Sequence, residues 1–267
     1  MVVKKVIIFG GTTEGKKVAA FLEREACPYF YSTKTKIDFQ AGKYGTYRYG
    51  AFTPDTLIDF CEEHTIQLII HASHPFAEEL HQTIYKASLR LNIPVIRFER
   101  TYPERLSNEL IRYFSSYPEV IRHLLDNNIQ QVLALTGVQT IEKLKPYWQT
   151  HPTFFRILPR ESSVDIAKQS GFPKENLILS FPSEDTQHEL DVIKKYHIKA
   201  VITKESGDSG FLSTKIKVAL ELNIPLFIIQ RCELPVSFIT VKQEKELAVA
   251  IFKTGIFSPV ERIKGNT

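Results

Sequence analysis

Short apolar runs alternate with amphipathic stretches along most of the chain. Strand-like runs rich in β-branched and aromatic residues fall at 4–9, 27–32, 67–71 and 93–98, then at 131–135, 153–158, 177–180, 199–203 and 225–229. Between them, apolar positions recur at helical spacing over 14–25, 54–64, 76–91, 117–127, 161–170, 185–197 and 211–222. Strands separated by helices predict parallel sheets, because a parallel pair needs a long crossover and a helix on the sheet face supplies it. Val6-Ile7-Ile8-Phe9 lacks polar alternation, the pattern of a strand buried on both faces.

The pattern contains a faint repeat. Leu89-Arg90-Leu91-Asn92-Ile93-Pro94-Val95 and Leu220-Glu221-Leu222-Asn223-Ile224-Pro225-Leu226 share a helix end, a turn and a strand start, and Arg100 and Arg231 follow at the same offset. Carried backwards, the offset sets His71-Ala72-Ser73-His74-Pro75 against Ile202-Thr203-Lys204-Glu205-Ser206. Both segments follow strands, and open α/β sheets bind ligands beyond the carboxyl ends of their strands. With a gap, Gly10-Gly11 pairs with Thr136-Gly137. The expected fold is α/β, with two Rossmann-like domains, parallel sheets and an interdomain cleft. The expected division is 1–115 and 116–267.

The length of 267 residues accommodates two ordinary domains, and 43% hydrophobic with 24% charged residues is the balance of a soluble globular protein. No run of about 18 apolar residues occurs, so no membrane span is expected. Met1-Val2-Val3-Lys4-Lys5 runs into the first strand without a cleavable signal pattern. Cys27, Cys61 and Cys232 lie far apart, against a disulfide framework or zinc site, and a cytoplasmic protein is expected. The net charge of +4 suits either a solvated surface or a concave site for a polyanion. Nucleic acid is not an expected partner, because no helix carries a dense Lys/Arg stripe.

The richest local signal is Gly10-Gly11-Thr12-Thr13-Glu14-Gly15, between the first strand and the first helix. Glycines let backbone amides approach a phosphate, and the helix N-terminus adds a favourable dipole. The order G-G-x-x-x-G departs from the dinucleotide fingerprint G-x-G-x-x-G, and a bare tight turn is the competing reading. Other constellations are weaker. His71, His74 and His81 lack helical ligand spacing and a nearby cysteine, so no metal site is expected. Ser73 and His74 suit ligand contact or a local helix cap. Lys204-Glu205-Ser206-Gly207-Asp208-Ser209-Gly210 is not a P-loop, but Lys204 and Lys215 can clamp carboxylates; a solvated turn is the alternative. Phe98, Tyr102 and Tyr113 suit the core or a stack on a flat ligand. No G-x-S-x-G elbow supports a serine hydrolase.

Taken together, these segments resemble the precorrin-6A reductase family of cobalamin biosynthesis, including its cobalt-precorrin-6A branch. The resemblance rests on Ile7-Ile8-Phe9-Gly10-Gly11-Thr12-Thr13-Glu14-Gly15, His71-Ala72-Ser73-His74-Pro75-Phe76-Ala77, Arg97-Phe98-Glu99-Arg100, Arg156-Ile157-Leu158-Pro159 and Thr203-Lys204-Glu205-Ser206-Gly207. Gly210-Phe211, Lys215 and Leu222-Asn223-Ile224-Pro225 extend it. His71 stands where the family often has an acidic residue, Arg231-Cys232 where it tends to have Arg-Pro, and Thr101 where a proline is usual after Arg100.

The resemblance implies a two-domain reductase that transfers a hydride from NADPH to a double bond of a carboxylate-rich tetrapyrrole held between domains. On that reading Gly10, Gly11, Thr12, Thr13 and Glu14 hold the dinucleotide. Ser32, Thr33 and Lys34 lie near its ribose, with Lys34 or Lys36 favouring a 2′-phosphate. Ser73 and His74 flank the nicotinamide, and Thr136, Gly137, Lys204, Glu205, Ser206 and Lys215 face the macrocycle. His74, Lys204 and solvent remain open as proton donors. A reductase of another anionic substrate and a non-catalytic dinucleotide sensor would both keep the first turn. Neither the substrate's cobalt content nor the oligomeric state follows from the sequence.

Overall fold

A computed structural model describes residues 5–255. The first stretch comprises β1 (Lys5–Phe9), α1 (Thr13–Arg24), β2 (Tyr29–Thr33), β3 (Gly45–Tyr49), α2 (Pro54–Glu63), β4 (Ile66–His71), α3 (Glu78–Leu91) and β5 (Val95–Phe98). There follow β6 (Ile111–Phe114), α4 (Tyr117–Asp126), β7 (Val132–Leu135), two 3₁₀ turns (Val138–Thr140 and Glu142–Leu144) and α5 (Lys145–Trp148). Next come β8 (Thr153–Ile157), α6 (Glu161–Gln169), β9 (Leu177–Leu179), α7 (Thr186–Lys195), β10 (Ala200–Lys204), α8 (Leu212–Glu221) and β11 (Leu226–Ile229). The chain then adds β12 (Ile239–Val241) and α9 (Glu244–Lys253). The nine strands and seven helices expected from the pattern are all present, while β3, β6, β12, α5 and α9 were not anticipated.

Two six-stranded sheets result, ordered β12-β5-β4-β1-β2-β3 and β6-β11-β10-β7-β8-β9. Every strand pairing within them is parallel. The orders correspond strand for strand, which makes this a pair of Rossmann-like α/β units. Each half builds five neighbouring strands of one sheet, then sends its next strand to the edge of the other: β6 pairs with β11, and β12 pairs with β5.

This exchange places the division elsewhere than 115/116. The first unit comprises residues up to Thr101 and those from Cys232 onward, and the second is Tyr102–Arg231. The return of the chain has a packing reason. Val241, Leu247, Ala250 and Ile251 are buried in one cluster with Val6, Ile8, Ile96 and Phe98, so β12 and α9 complete a core that β1–β5 leave open. The C-terminal stretch, to which the sequence assigns no role, lies beyond Gly255 outside the described residues.

The repeat also acquires a physical cause. Asn92 and Asn223 both stand at φ 52°, a left-handed turn that asparagine tolerates, immediately before the Ile-Pro that enters β5 or β11. The offset does not carry back unchanged, however. His71 pairs with Arg97, whereas Ile228 pairs with Thr203, so the second crossover is one residue shorter and His71 corresponds to Thr203 rather than Ile202.

Candidate functional site

In the first unit β1 ends at Phe9 and α1 begins at Thr13, with Thr12 as N-cap. The Thr12 hydroxyl accepts from Gly15 N at 3.0 Å and donates to Ala72 O at 2.6 Å, tying the helix start to the loop after β4. Each glycine has its own reason. A Cβ at Gly10 would lie 2.2 Å from Tyr31 Cζ, and one at Gly15 would lie 2.7 Å from Gly10 Cα. Gly11 has room for a Cβ but stands at φ +87°, where a side chain is strained. Gly10 and Gly15 therefore allow close packing, and Gly11 allows the turn. The Gly11 amide donates to the Tyr31 hydroxyl at 2.9 Å, and Gly10 N donates to Ser32 O at 3.0 Å. Helix geometry leaves the first-turn amides of α1 without intrahelical acceptors. Glu14 is buried, with Oε2 3.1 Å from Arg100 Nη2, so its carboxylate is turned to an ion pair within the unit.

Beyond β2, Ser32 Oγ accepts from Arg48 Nη1 at 2.8 Å. The Arg48 guanidinium lies 3.8 Å from the Phe52 ring centroid, and β3 holds it directly opposite Ser32. Thr33 Oγ1 donates to Thr35 O at 2.8 Å and meets Tyr47 Oη at 2.9 Å. Lys34 is exposed beside Glu79 at 3.5 Å. Arg48, in an edge strand that the pattern did not predict, is thus the half-buried cation beside Ser32. Tyr47-Arg48-Tyr49 holds a lone cation among aromatics, and nothing in that triplet alone ties it to Ser32.

The loop after β4 is braced from below. Arg97, 1% exposed, grips Glu99 with Nε and Nη2, each at 3.1 Å, and its Nη1 donates to Ser73 O at 2.9 Å. Ser73 Oγ lies 3.3 Å from His71 Nδ1, and His74 Nδ1 accepts from Phe76 N at 3.2 Å. Neither Ser73 nor His74 caps α3, whose N-cap is Ala77 without a side-chain bond. The His71 and His81 rings meet edge to face at 4.9 Å. Burial, then the Arg97 charge, holds His71 well below the usual histidine range and brings His81 to about 4. Both rings are neutral near pH 7, and among the described residues no group of three or more His, Cys, Asp or Glu could hold a metal ion.

In the second unit the turn after β7 is built differently. Gly137 stands at φ +85° with no atom within 4 Å of the place a Cβ would take, and 3₁₀ turns follow instead of a long helix. Thr136 and Thr140 share a hydroxyl contact at 2.6 Å. Lys215 is buried, and its Nζ donates to Gly210 O at 2.8 Å; Arg156 forms a buried ion pair with Glu189. Burial, followed by Arg156, lowers Lys215 to about 7, against a smaller upward pull from Glu189.

Glu205 is fully engaged. Arg105 donates to both carboxylate oxygens at 3.0 Å, and Arg231 adds its backbone N at 3.1 Å and Nη1 at 3.0 Å. Burial pushes its pKa up, but these bonds outweigh burial and hold it below the usual range. Ser206 is buried, where a Cβ at Gly210 would lie 2.0 Å from its Oγ, and Lys204 ends β10 half-buried. Of the three aromatics, Phe98 is core in the first unit, while in the second Tyr102 lies 3.9 Å from the Arg231 guanidinium and Tyr113 lies 5.3 Å from that of Arg105.

The chain as a whole is similar to known proteins. A family model described as precorrin-6x reductase CbiJ/CobK matches residues 5–251. The cobalt-precorrin-6A reductase of Priestia megaterium is 26% identical over 233 residues, covering 85% of this chain and 90% of that protein. The protein of the same description from Methanothermobacter thermautotrophicus is 29% identical over 236 residues, covering 85% and 76%. The precorrin-6A reductase of Rhodococcus erythropolis is 24% identical over 235 residues, covering 86% and 90%. A solved structure titled CobK precorrin-6A reductase shares the fold at a TM-score of 0.78, with 18% identity over 95% of this chain and 98% of that one.

Proposed function

The chain belongs to the precorrin-6x reductase CbiJ/CobK family, and from that premise we propose that it reduces precorrin-6A or cobalt-precorrin-6A with NADPH in cobalamin biosynthesis. When bound, the nicotinamide supplies a hydride to one carbon of a ring double bond and leaves oxidised, while the neighbouring carbon gains a proton.

The observation that carries the cofactor reading is the Gly10–Gly15 turn with Arg48 beside Ser32. The turn brings backbone amides and the N-terminus of α1 to one place, which suits a pyrophosphate. Thr12 and Thr13 offer first-turn amides, Gly10 lets the strand end pack on Tyr31 while Gly11 allows the turn, and the Tyr31 hydroxyl that accepts from Gly11 retains its own hydrogen to donate. Ser32 and Thr33 suit the adenosine ribose. Arg48 suits its 2′-phosphate better than exposed Lys34 does, because a half-buried guanidinium offers directed, charge-assisted bonds. Glu14 acts by fixing Arg100, a positioning role.

Ser73 and His74 sit on the Arg97-braced loop beside that turn, the place for the nicotinamide end. With Nδ1 accepting from Phe76 N, His74 carries a hydrogen on Nε2, from which it can relay a proton drawn from solvent to the carbon next to the one that takes the hydride. In the second unit Thr136, Gly137, Lys204, Ser206 and Lys215 suit the carboxylate-rich macrocycle, and Glu205 fixes Arg105 and Arg231 around them.

The test is loss of NADPH absorbance with purified protein, supplying metal-free and cobalt-loaded precorrin-6A separately. Oxidation with one substrate establishes the reductase and selects its branch. No oxidation with either, despite NADPH binding, overturns the proposal in favour of a dinucleotide sensor.

A further inference from the structure

A cavity of about 160 Å³ opens in the second unit, lined among others by Gly137, Arg156, Ser163, Ser180 and Lys215. Its size selects the ligand. Sites that bury a drug-sized molecule run to roughly 300–1,000 Å³, so this one takes a side arm rather than a ring system.

Its charge selects the chemistry. The charged residues that line the cavity are Arg156 on β8 and Lys215 on α8, and behind them Glu189 on α7 is paired with Arg156. Lys215 Nζ reaches only a backbone carbonyl, Gly210 O. Among the described residues Lys215 Nζ thus has no ion pair of its own, and its charged form costs free energy until an anion arrives. Ser180 lines the cavity, and its Oγ is buried with no hydrogen-bond partner among the described residues. A buried unpaired hydroxyl on a residue lining the same cavity as Lys215 offers a donor to the same anion.

We propose that this cavity is a subsite for one carboxylate arm of an acidic ligand, held by Lys215, with Ser180 and the outer nitrogens of Arg156 as further donors. That the arm belongs to a tetrapyrrole rests on the reductase reading; the preference for a carboxylate does not. The lowered position of Lys215 agrees, because a bound carboxylate restores the charged amine.

The test uses the full chain with lysine labelled at ¹³Cε and propionate as probe, without cofactor or macrocycle. The Lys215 resonance, identified by its loss in Lys215→Met, is expected to titrate near pH 7. Saturating propionate should raise its midpoint by about one unit or more, a roughly tenfold tighter hold on the proton. Ser180→Leu, which fills the cavity and leaves the charges, should abolish that response in a protein that still melts cooperatively. No shift with propionate, or an equal shift with methyl propionate, overturns the proposal. A larger shift with inorganic phosphate than with propionate overturns it in favour of a phosphate site. NADPH binding and turnover are read separately, so failure of the reductase reading leaves this result intact, and the reverse.

Discussion

The two units share one strand order and diverge at the first crossover. After β1 comes a glycine turn, a threonine cap and a helix of 12 residues; after β7 comes one glycine, two 3₁₀ turns and a helix of 4. In the first unit backbone sterics dominate, because Gly10 and Gly15 are packed against Tyr31 and each other. In the second no such contact surrounds Gly137, and the space holds buried side-chain charge instead. One scaffold thus presents helix-terminal amides in one place and side-chain cations in the other. The first arrangement suits a phosphate diester and the second suits carboxylates.

Paired glycine substitutions are the strongest way to break this contrast. Gly10→Ala should displace Tyr31, cost about 1–3 kcal/mol of stability and weaken NADPH binding by on the order of a hundredfold. Gly137→Ala should cost only its left-handed backbone, about 1 kcal/mol, with NADPH binding unchanged. Thermal unfolding and NADPH fluorescence titration measure both, and equal losses at the two positions would erase the distinction.

Arg48→Ala sharpens the phosphate side. Loss of a charge-assisted contact worth about 1.5–3 kcal/mol should weaken NADPH roughly 10- to 100-fold and leave NADH nearly unchanged. Parallel loss of both cofactors would mean that Arg48 supports the fold rather than the 2′-phosphate.

Lys215→Met examines the other side through pH. The unfolded chain holds the lysine proton up to its ordinary 10.5, whereas the folded protein releases it near 7. Between those values the unfolded state binds more protons, so wild-type stability rises with pH by up to about 1.4 kcal/mol per unit. The variant lacks this linkage. It should therefore be the more stable protein below pH 7, with an advantage that shrinks toward pH 10; a constant difference in Tm across that range would count against a buried, deprotonating Lys215.

Thr12→Ala is the gentlest of the four. Removing the N-cap of α1 should cost about 1 kcal/mol, read by chemical denaturation, and loosen the link to Ala72. Thr136→Ala, at the matching turn, touches no helix cap and should cost less.

Much of the fold is visible in the residue order, since Val6-Ile7-Ile8-Phe9 and its counterparts bury both faces and admit only a central parallel strand. The missed elements share a cause. β3, β6 and β12 are edge strands of 3–5 residues, and the patterns of β3 and β12 are largely unburied, so neither run nor alternation marks them. α9 has helical spacing, but its apolar face matches a cluster supplied by β1 and β5, which are distant in sequence. The site divides along the same line. The glycine turn was legible because its steric demand is written in adjacent residues, Gly10 to Gly15. Arg48, Arg156 and Ser180 were not legible as candidate residues, because their surroundings come from other strands and helices.

The sequence by itself determined the parallel α/β elements, the duplicated order of the units, the glycine turn and the family, all set by neighbouring residues or by their spacing. Tertiary structure alone decided that β6 and β12 change sheets, that Glu14 and Glu205 are spent on arginines, and that Arg48 faces Ser32. These outcomes depend on burial and on partners far along the chain, and both exist only once the sheets have formed.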